Sequence, residues 1–450
     1  MAKSKQKFIC QNCEAVFYKW AGRCESCGEW NSLVEQILPE VGRSAVARSI
    51  NNGKPLHVNS LNSIPFEEGM KRLKTGIGDL DIILGGGILP GGVTLLAGQP
   101  GIGKSTLLLQ TVANIAHNYD VLYISGEESA GQVRLRAARL GADKSSNLNF
   151  AASTSADDIA ATIRTGKYQL VVVDSVQTLH LNEITSSPGS ISQITNSSNV
   201  IINAAKETGT SAIFVGHVTK EGSIAGPKIL EHLVDVVLQF EGDRYGGFKI
   251  VRAVKNRYGS TNEAAIFEMG EKGLRIVENP SAALLAERRD EDGSVVLATL
   301  EGARPLLVEI QALVNSTNFG YPKRTASGFD INRLNLLIAV LERRTKLKLS
   351  DKDIYINVVG GIKISDPAAD LAICMAIASA SAGRRLNYDT VVFGEVGLGG
   401  EVRSVTSIEK RIAEAKKLGF TKALAPITIK DDFIIGVDNV RSTLIEYLQK

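Results

Sequence analysis

The chain has 450 residues, of which 44% are hydrophobic and 22% are charged, with a formal net charge of +3. At roughly 150 residues per domain this length predicts about three domains, and the apolar content excludes a disordered chain. The charge is too small to indicate nucleic-acid binding by itself, so DNA binding would depend on local basic surfaces. With no signal-peptide core and no run of about 18 apolar residues, we expect a cytoplasmic protein without a membrane partner.

The N-terminus contains four of the five cysteines, which form two Cys-x2-Cys pairs separated by ten residues. This spacing predicts four thiolates around one tetrahedral Zn²⁺, whereas two disulfides, the alternative, are disfavoured in a reducing compartment. A segment of this length buries little apolar surface, so the metal is expected to supply its folding free energy. We predict a zinc ribbon over residues 1–36 with the ligands Cys10, Cys13, Cys24 and Cys27.

The residues around and after this cluster are aromatic, basic or polar. Tyr18, Trp20, Arg23 and Trp30 suit a nucleic-acid or partner surface as well as the small core of a ribbon, and both interpretations stay open. Residues 37–70 are polar, with scattered Pro, Gly, Asn and Ser and no sustained periodicity. This composition predicts a linker between the ribbon and the next domain.

The stretch LLAGQPGIGKSTLLLQ, residues 95–110, predicts a strand, a glycine-rich loop and a helix. Its glycine, lysine and serine spacing is the P-loop pattern, in which backbone N–H groups surround a polyphosphate. Lys104 is expected to neutralise the β- and γ-phosphate oxygens of ATP, and Ser105 to ligate Mg²⁺. The predicted nucleotide-binding residues are Gly98, Gln99, Pro100, Gly101, Ile102, Gly103, Lys104, Ser105 and Thr106.

Three polar side chains follow predicted strands, and ligands gather at the carboxyl ends of strands in doubly wound sheets. The strand Val121–Ser125 leads to Glu127, which is expected to orient the attacking water. The apolar strand Leu170–Val173 ends in Asp174, which is expected to contact the Mg²⁺ shell through water. A further strand ends at His217, which is either a sensor of the γ-phosphate or an ordinary strand-end histidine.

Two polar loops are candidates for DNA contact. Residues 218–228 are glycine-rich and contain Lys220 and Lys228, which suits contact with a single-stranded backbone, although an ordinary solvated loop is the alternative. Residues 182–199 are also polar, and a loop of that length exceeds what a simple connection needs. We therefore expect both segments to be loops that approach a polymer.

Several strings together resemble the RadA (Sms) family of bacterial DNA repair proteins, which are RecA-like ATPases. They are TGIGDLD, the P-loop, YISGEES, VVVDSVQT, GHVTKEGSIAGPKILEH and VKNRYGSTNE. The five-residue family signature ends in Phe-Gly, and here it corresponds to Lys255, Asn256, Arg257, Tyr258 and Gly259. Tyr258 replaces the phenylalanine and keeps its aromatic ring, so we expect the role of the signature to be retained. The resemblance implies that Lys255 and Arg257 act in trans on a neighbouring subunit's nucleotide and stabilise transition-state charge, with a solvated basic turn as the alternative.

Beyond Gly270 the pattern predicts a second α/β unit, which resembles the proteolytic domain of Lon. Strands are expected at residues 283–289, 295–314 and 353–364, and Thr406 with Glu409 forms a predicted capping box for the helix that follows. A Lon-type peptidase needs a serine nucleophile and a lysine base. Here Ala368 takes the serine position and Glu409 takes the lysine position, so the domain is expected to be proteolytically inactive.

Together the resemblances imply an α/β protein in four parts: a four-cysteine zinc ribbon (1–36), a linker (37–70), a RecA-like ATPase domain (71–272) with a mostly parallel sheet and helices on both faces, and an inactive Lon-like α+β domain (273–450). They imply a homohexameric ring that hydrolyses ATP with Mg²⁺ and acts as a DNA-dependent ATPase and helicase on single-stranded and branched DNA in recombinational repair. A RecA-type recombinase is the implied partner. The candidate DNA contacts of the last domain are Arg324, Arg333, Arg343 and Arg344.

Two other functions remain open from the residues alone. An ATP-switched assembly factor would bind ATP and DNA without translocating. A Lon-type ATP-dependent protease would need a nucleophile at position 368, where the chain has alanine.

Overall fold

The computed structural model divides the chain into two compact units. The first contains Met1–Leu238 and Val254–Gly259, and the second contains Gln239–Ala253 and Ser260–Lys450. The four-part division from the sequence stays a prediction, and most of its linker lies outside the described residues. The structure describes residues 6–11, 15–37, 60, 71–217, 229–242, 247–317, 320–427 and 431–448.

The N-terminal ribbon of the first unit is a small antiparallel sheet. Strands β1 (Gln6–Cys10), β2 (Val16–Phe17) and β3 (Leu33–Ile37) follow the spatial order β2-β1-β3. The buried apolar residues of its described part are Cys10, Cys24 and Leu33. Tyr18, Trp20 and Trp30 are 68%, 61% and 68% exposed, so these rings do not form the core of the ribbon.

The rest of the first unit is built on parallel strands that alternate with helices. Strands β4 to β8 follow the spatial order β4-β8-β7-β5-β6, and all their ladders are parallel. The strands β4, β5 and β7 are buried along their whole length, as expected of a parallel sheet covered on both faces. The elements are α1 (Gly78–Ile83), β4 (Val93–Gly98), α2 (Lys104–Ile115), β5 (Val121–Ser125), α3 (Ala130–Leu140), β6 (Leu148–Ala152), α4 (Ala156–Arg164), β7 (Leu170–Asp174), α5 (Ile191–Thr208), β8 (Ser211–His217) and α6 (Ile229–Leu233).

The helix α5 corrects the loop expected at residues 182–199. Only the part before the helix is irregular, because the Ser190 side chain accepts a hydrogen bond from Gln193 N and begins the helix. The Gln193 side chain then donates to the carbonyls of Ile184 and Ser186, which closes the preceding turn. Buried Ile194, Ile201 and Ala205 recur at helical spacing and pack in the core of this unit.

The chain passes between the units inside two strands, β9 (Val236–Gly242) and β10 (Phe248–Asn256). In the second unit the strands β10, β11 and β12 pair in antiparallel ladders, and a seven-stranded sheet has the order β15-β16-β14-β13-β17-β20-β21. The elements are β11 (Ala264–Gly270), β12 (Gly273–Ile276), α7 (Pro280–Leu285), β13 (Ser294–Glu301), β14 (Arg304–Ser316), β15 (Arg324–Ser327), α8 (Ile331–Thr345), β16 (Lys352–Val358), α9 (Ala369–Ala382), β17 (Thr390–Val392), β18 (Glu395–Val396), β19 (Val402–Arg403), α10 (Ile408–Lys417), β20 (Lys422–Pro426), β21 (Ile434–Val437) and α11 (Val440–Tyr447).

Two local predictions in this unit are wrong. The strand expected from residue 283 begins inside α7, which Pro280 and the Asn279 side-chain cap initiate. The capping box expected from Thr406 does not form, since the residue before α10 is Ser407, in a left-handed conformation with φ 54° and no side-chain cap. A capping residue needs extended backbone angles to place its hydroxyl on the first turn.

Candidate active site

The P-loop joins β4 to α2. Gly101 and Gly103 have φ values of 77° and 116°, which side chains disfavour, so the loop depends on glycine at these positions. The Lys104 amine donates to Gly98 O at 2.8 Å and to Gln99 O at 3.0 Å. Burial lowers the pKa of Lys104 to about 8, although the charges of Asp174 and Glu127 oppose the shift.

The Asp174 carboxylate lies beside the start of α2. Its Oδ2 accepts a hydrogen bond from Ser105 Oγ at 2.7 Å and another from the Tyr123 hydroxyl at 2.5 Å. A serine hydroxyl beside a carboxylate is an oxygen donor set that suits Mg²⁺, so Ser105 and Asp174 can hold the metal of a nucleotide complex. The sequence did not single out Tyr123, because a tyrosine in an apolar strand resembles any core residue.

Glu127 faces the same site from the end of β5. Its Oε1 accepts a hydrogen bond from Ser175 Oγ and lies 3.4 Å from His217 Nε2. The hydrogen bonds from His217 and Ser175, together with the charge of Lys104, outweigh burial and lower the pKa of Glu127 to about 2. Glu127 is therefore an ionised acceptor at neutral pH.

His217 connects the phosphate-binding lysine to this glutamate. Its Nδ1 lies 3.2 Å from Lys104 Nζ, and its Nε2 faces Glu127. Since an ammonium group only donates, Nδ1 must accept and Nε2 carries the proton toward Glu127. The parallel register that pairs Gly98 with His217 brings β8 to the edge of the P-loop. The structure thus brings together the four side chains expected at this edge, namely Lys104, Glu127, Asp174 and His217.

Lys255 and Arg257, in the signature Lys255–Gly259, have their partners within the chain. The Lys255 amine donates to Glu231 O and Val234 O, both at 2.7 Å, and burial lowers its pKa. Arg257 Nη1 donates to Asp235 Oδ1 at 3.0 Å, and the arginine side chain is still 52% exposed. Both cations therefore lie beside the turn that precedes β9.

This turn lies at the opposite end of β4 from the P-loop. Asp235 N donates to Val93 O at 2.9 Å, and Val93 N donates to Asp235 Oδ2 at 3.0 Å, so Asp235 flanks the first residue of β4. The P-loop begins at Gly98, the last residue of that strand. The rise along β4 alone separates the two ends by about 16 Å. Lys255 and Arg257 consequently lie at the amino edge, away from the chain's own phosphate-binding loop.

The remaining residues of the signature fix its backbone. Asn256 Nδ2 donates to Ile83 O at 2.9 Å, and Tyr258 N donates to Asn256 Oδ1 at 2.8 Å. A Cβ at Gly259 would approach the Cα of Gly85 to 2.9 Å, so the two chain segments meet at a pair of glycines. This part of the signature is structural.

Three of the four predicted zinc ligands lie together in the ribbon. The sulfurs of Cys10, Cys24 and Cys27 are all within 4.8 Å of one another, and Cys13 lies outside the described residues. The 3.6 Å between Cys10 Sγ and Cys27 Sγ is far longer than a disulfide and close to the edge of a tetrahedron with Zn–S bonds of about 2.3 Å. These thiolates fit a structural Zn²⁺.

The basic residues predicted to contact DNA have different surroundings. Lys220 and Lys228 lie outside the described residues. Arg333 is held in a two-pronged ion pair with the buried Asp370, which gives its guanidinium a structural partner. Arg343 and Arg344 are exposed near the end of α8, while Arg324 is half-buried on β15.

The residue at the position of the Lon nucleophile is buried in this chain and has no hydroxyl group. Ala368 is fully buried, and its N–H donates to Asp366 at 3.0 Å. The fully buried Arg411 forms an ion pair with Asp366 at 2.7 Å and also donates to Ala298 O. Burial raises the pKa of Asp366, but the hydrogen bond and charge of Arg411 lower it more, so the net shift is downward. Glu409, at the lysine position, is exposed.

Comparison with known families matches three parts of the chain. Family models match an AAA domain over residues 69–223, subunit ChlI of Mg-chelatase over residues 334–429 and a rubredoxin metal binding domain over residues 8–35. A relative described as DNA repair protein RadA from Bacillus subtilis (strain 168) is 48% identical, and the match covers 99% of both chains.

Relatives with the same description come from other bacteria. The protein of Pseudomonas aeruginosa is 46% identical over 95% of this chain and 94% of its own, and that of Aquifex aeolicus is 44% identical over 100% and 99%. The chain belongs to the RadA family. The motif-based resemblance is thereby confirmed, as is the combination of a P-loop ATPase core, an N-terminal zinc ribbon and a Lon-like C-terminal region.

RadA membership and the AAA domain make this chain a DNA repair ATPase. Among the described residues, no helix is both long enough and apolar enough to cross a membrane. Four residues at or near the functional groups were missed by sequence analysis: Tyr123, Ser175, Asp235 and Arg411. Ser175 directly follows β7, so the rule for carboxyl ends of strands could have found it. Asp235 precedes β9 and lies outside that rule.

Proposed function

We propose that this RadA-family chain is a DNA-dependent ATPase and helicase that assembles as a homohexameric ring on single-stranded DNA in the cytoplasm. With Mg²⁺ and ATP it extends branched recombination intermediates alongside a RecA-type recombinase. We also propose the four-part division at residues 36, 70 and 272, with the ribbon and the Lon-like part flanking the motor.

The observation that carries this proposal is the distance between the signature cations and the chain's own P-loop. Arg257 lies beside Asp235 at the amino edge of β4, whereas the phosphate loop lies at the carboxyl edge. The Arg257 side chain is half-exposed, and the buried Asp235 keeps its hydrogen bond from Val93 N when the arginine moves, so the guanidinium can leave Asp235 for a stronger acceptor. A phosphate of a nucleotide bound to a neighbouring subunit is such an acceptor. Arg257 can bind it only when the subunits are assembled.

A second observation supports coupling between hydrolysis and DNA. His217 contacts Lys104 and Glu127, and the residues that follow it along the chain include Lys220 and Lys228. A γ-phosphate that attracts Lys104 would change the partners of His217 and therefore the start of this basic segment. His217 is thus the proposed sensor, and Arg343 and Arg344 are proposed as further DNA contacts.

The direct test is strand displacement from a forked DNA with ATP. The wild-type protein is expected to displace the strand, and Lys104→Ala, which lacks the phosphate-binding ammonium, is expected to fail. If the wild type hydrolyses ATP on DNA and assembles but never displaces a strand, the chain is an ATP-switched assembly factor. Because counterions are released on phosphate binding, DNA affinity should also fall steeply with salt.

A further inference from the structure

Tyr123 has a role that its place in an apolar strand does not suggest. It lies in the middle of β5, is 2% exposed, and its hydroxyl donates to Asp174 Oδ2 at 2.5 Å. A phenylalanine would fill the same space without a polar atom. The buried hydroxyl is therefore satisfied by one specific group, the carboxylate that faces the P-loop.

The acceptor atom is the same one that Ser105 uses. Ser105 Oγ reaches Asp174 Oδ2 at 2.7 Å, so two donors from two different elements converge on one oxygen. Two hydrogen bonds to one oxygen fix the rotation of the carboxyl group. Within the described part of the chain no residue donates to Oδ1, so this oxygen keeps its lone pairs for other ligands.

We propose that Tyr123 is a positioning residue for the magnesium–nucleotide complex. Its hydroxyl holds Asp174 so that Oδ2 orients the Ser105 hydroxyl and Oδ1 is available to the hydration shell of Mg²⁺. The inference rests on the proposed use of Mg²⁺ and ATP at this site. Tyr123 touches neither nucleotide nor metal and acts only through Asp174.

The test is a Mg²⁺ titration of binding, with a fluorescent non-hydrolysable ATP analogue as the probe and the full-length chain as the protein. Tyr123→Phe removes one oxygen and keeps the ring. The Mg²⁺ concentration at half-saturation is expected to rise about tenfold, the lower end of what a hydrogen bond to a charged group contributes. Binding of the analogue in EDTA should stay unchanged, because the P-loop backbone and Lys104 are untouched.

Tyr168→Phe is the matched control, since it removes a phenolic hydroxyl from the same unit. Tyr168 packs against the core of this unit and precedes β7, whereas Asp174 is the last residue of that strand. An unchanged Mg²⁺ half-saturation in Tyr123→Phe, or an equal loss of binding with and without Mg²⁺, would overturn the proposal. So would loss of the fold, because it would assign Tyr123 a purely structural role. If the wild type itself bound the analogue without any response to Mg²⁺, the proposed site function would fail instead.

Discussion

Glu127 and Glu128 are adjacent in the chain, yet their carboxylates have different partners. Glu127 accepts from Ser175 and faces His217 and the P-loop. Glu128 is paired with Arg136 of α3, and its side chain is 30% exposed. Only Glu127 is therefore placed to accept a proton from an attacking water or to orient it.

Glu127→Gln is expected to lower the rate of ATP hydrolysis at least 100-fold, about the smallest contribution of a general base, while ATP still binds. Glu128→Gln is the matched control and should retain the rate to within about twofold, because its carboxylate pairs with Arg136 rather than with His217 or Ser175. Steady-state turnover and nucleotide affinity would be measured for both variants. An equal loss of hydrolysis rate in the two variants would show that Glu127 has no special role in the reaction.

The pH dependence of nucleotide binding follows from Lys104. Burial lowers its pKa to about 8 in the free protein, and a bound triphosphate, being negatively charged, would raise it again. Binding then takes up a proton above pH 8, so affinity should be flat just below pH 8 and fall by up to about tenfold per pH unit above it. Calorimetry in buffers of different ionisation enthalpy measures the uptake. A flat affinity up to about pH 9.5 would be incompatible with this shift.

At the residue scale, sequence patterns predicted the P-loop and the acidic strand ends because these depend on local spacing. Tyr123 could not be found in this way, because its hydrogen bond depends on the neighbouring strand β7, which brings Asp174 within reach of its hydroxyl. Nor could the sequence tell that Arg333 is bound to Asp370.

In the second unit, α10 carries a buried arginine close to Ala368, the position that corresponds to the Lon serine. Arg411 projects from this helix into the core and is 0% exposed, where it binds Asp366 just before α9. Removing one partner of a buried pair leaves a charge without compensation, which is costly. The pair therefore ties α10 to the start of α9.

Arg411→Ala is expected to lower the free energy of unfolding by about 3 kcal/mol, the lower end of the range for breaking a buried pair. Lys410→Ala, one residue away at an exposed position, should change it by about 0.5 kcal/mol or less. Denaturant unfolding of the full chain gives both values. Similar effects in the two variants would mean that the buried pair does not stabilise the unit.

The ribbon contains both tryptophans of the chain, Trp20 and Trp30, so tryptophan fluorescence anisotropy reports on this element alone. A zinc-selective chelator should lower the anisotropy as the ribbon loses its folding free energy, and added Zn²⁺ should restore it. Basal ATP hydrolysis should persist because the P-loop site does not use the thiolates. Loss of all turnover on chelation would contradict this separation.

Element boundaries show where sequence reasoning is weakest. The polar string after residue 182 resembled a loop, but a serine cap and buried isoleucines at helical spacing make most of it α5. The apolar string near residue 283 resembled a strand, but Pro280 and Asn279 start a helix there. In both cases the capping residue that precedes the string, and not the composition of the string, decides that a helix forms.

At the scale of the whole molecule, the groups proposed for nucleotide chemistry lie at two edges of one sheet. Lys104, Glu127, Asp174 and His217 lie at the carboxyl edge, and Arg257 lies at the amino edge beside Asp235. The arginine that we propose to act in trans therefore lies away from the phosphate-binding loop of its own chain. The sequence could suggest this only through family resemblance, because the separation depends on the three-dimensional register of Asp235 with β4.

The most direct measurement is ATP turnover after subunit mixing. Lys104→Ala lacks a working P-loop but keeps Arg257, whereas Arg257→Ala keeps the P-loop, so each alone should be nearly inactive. Co-expressed in equal amounts, they should recover about a quarter of wild-type turnover, the fraction of head-to-tail interfaces that pair an intact P-loop with an intact arginine. Turnover that stays at the sum of the two separate variants would contradict the account.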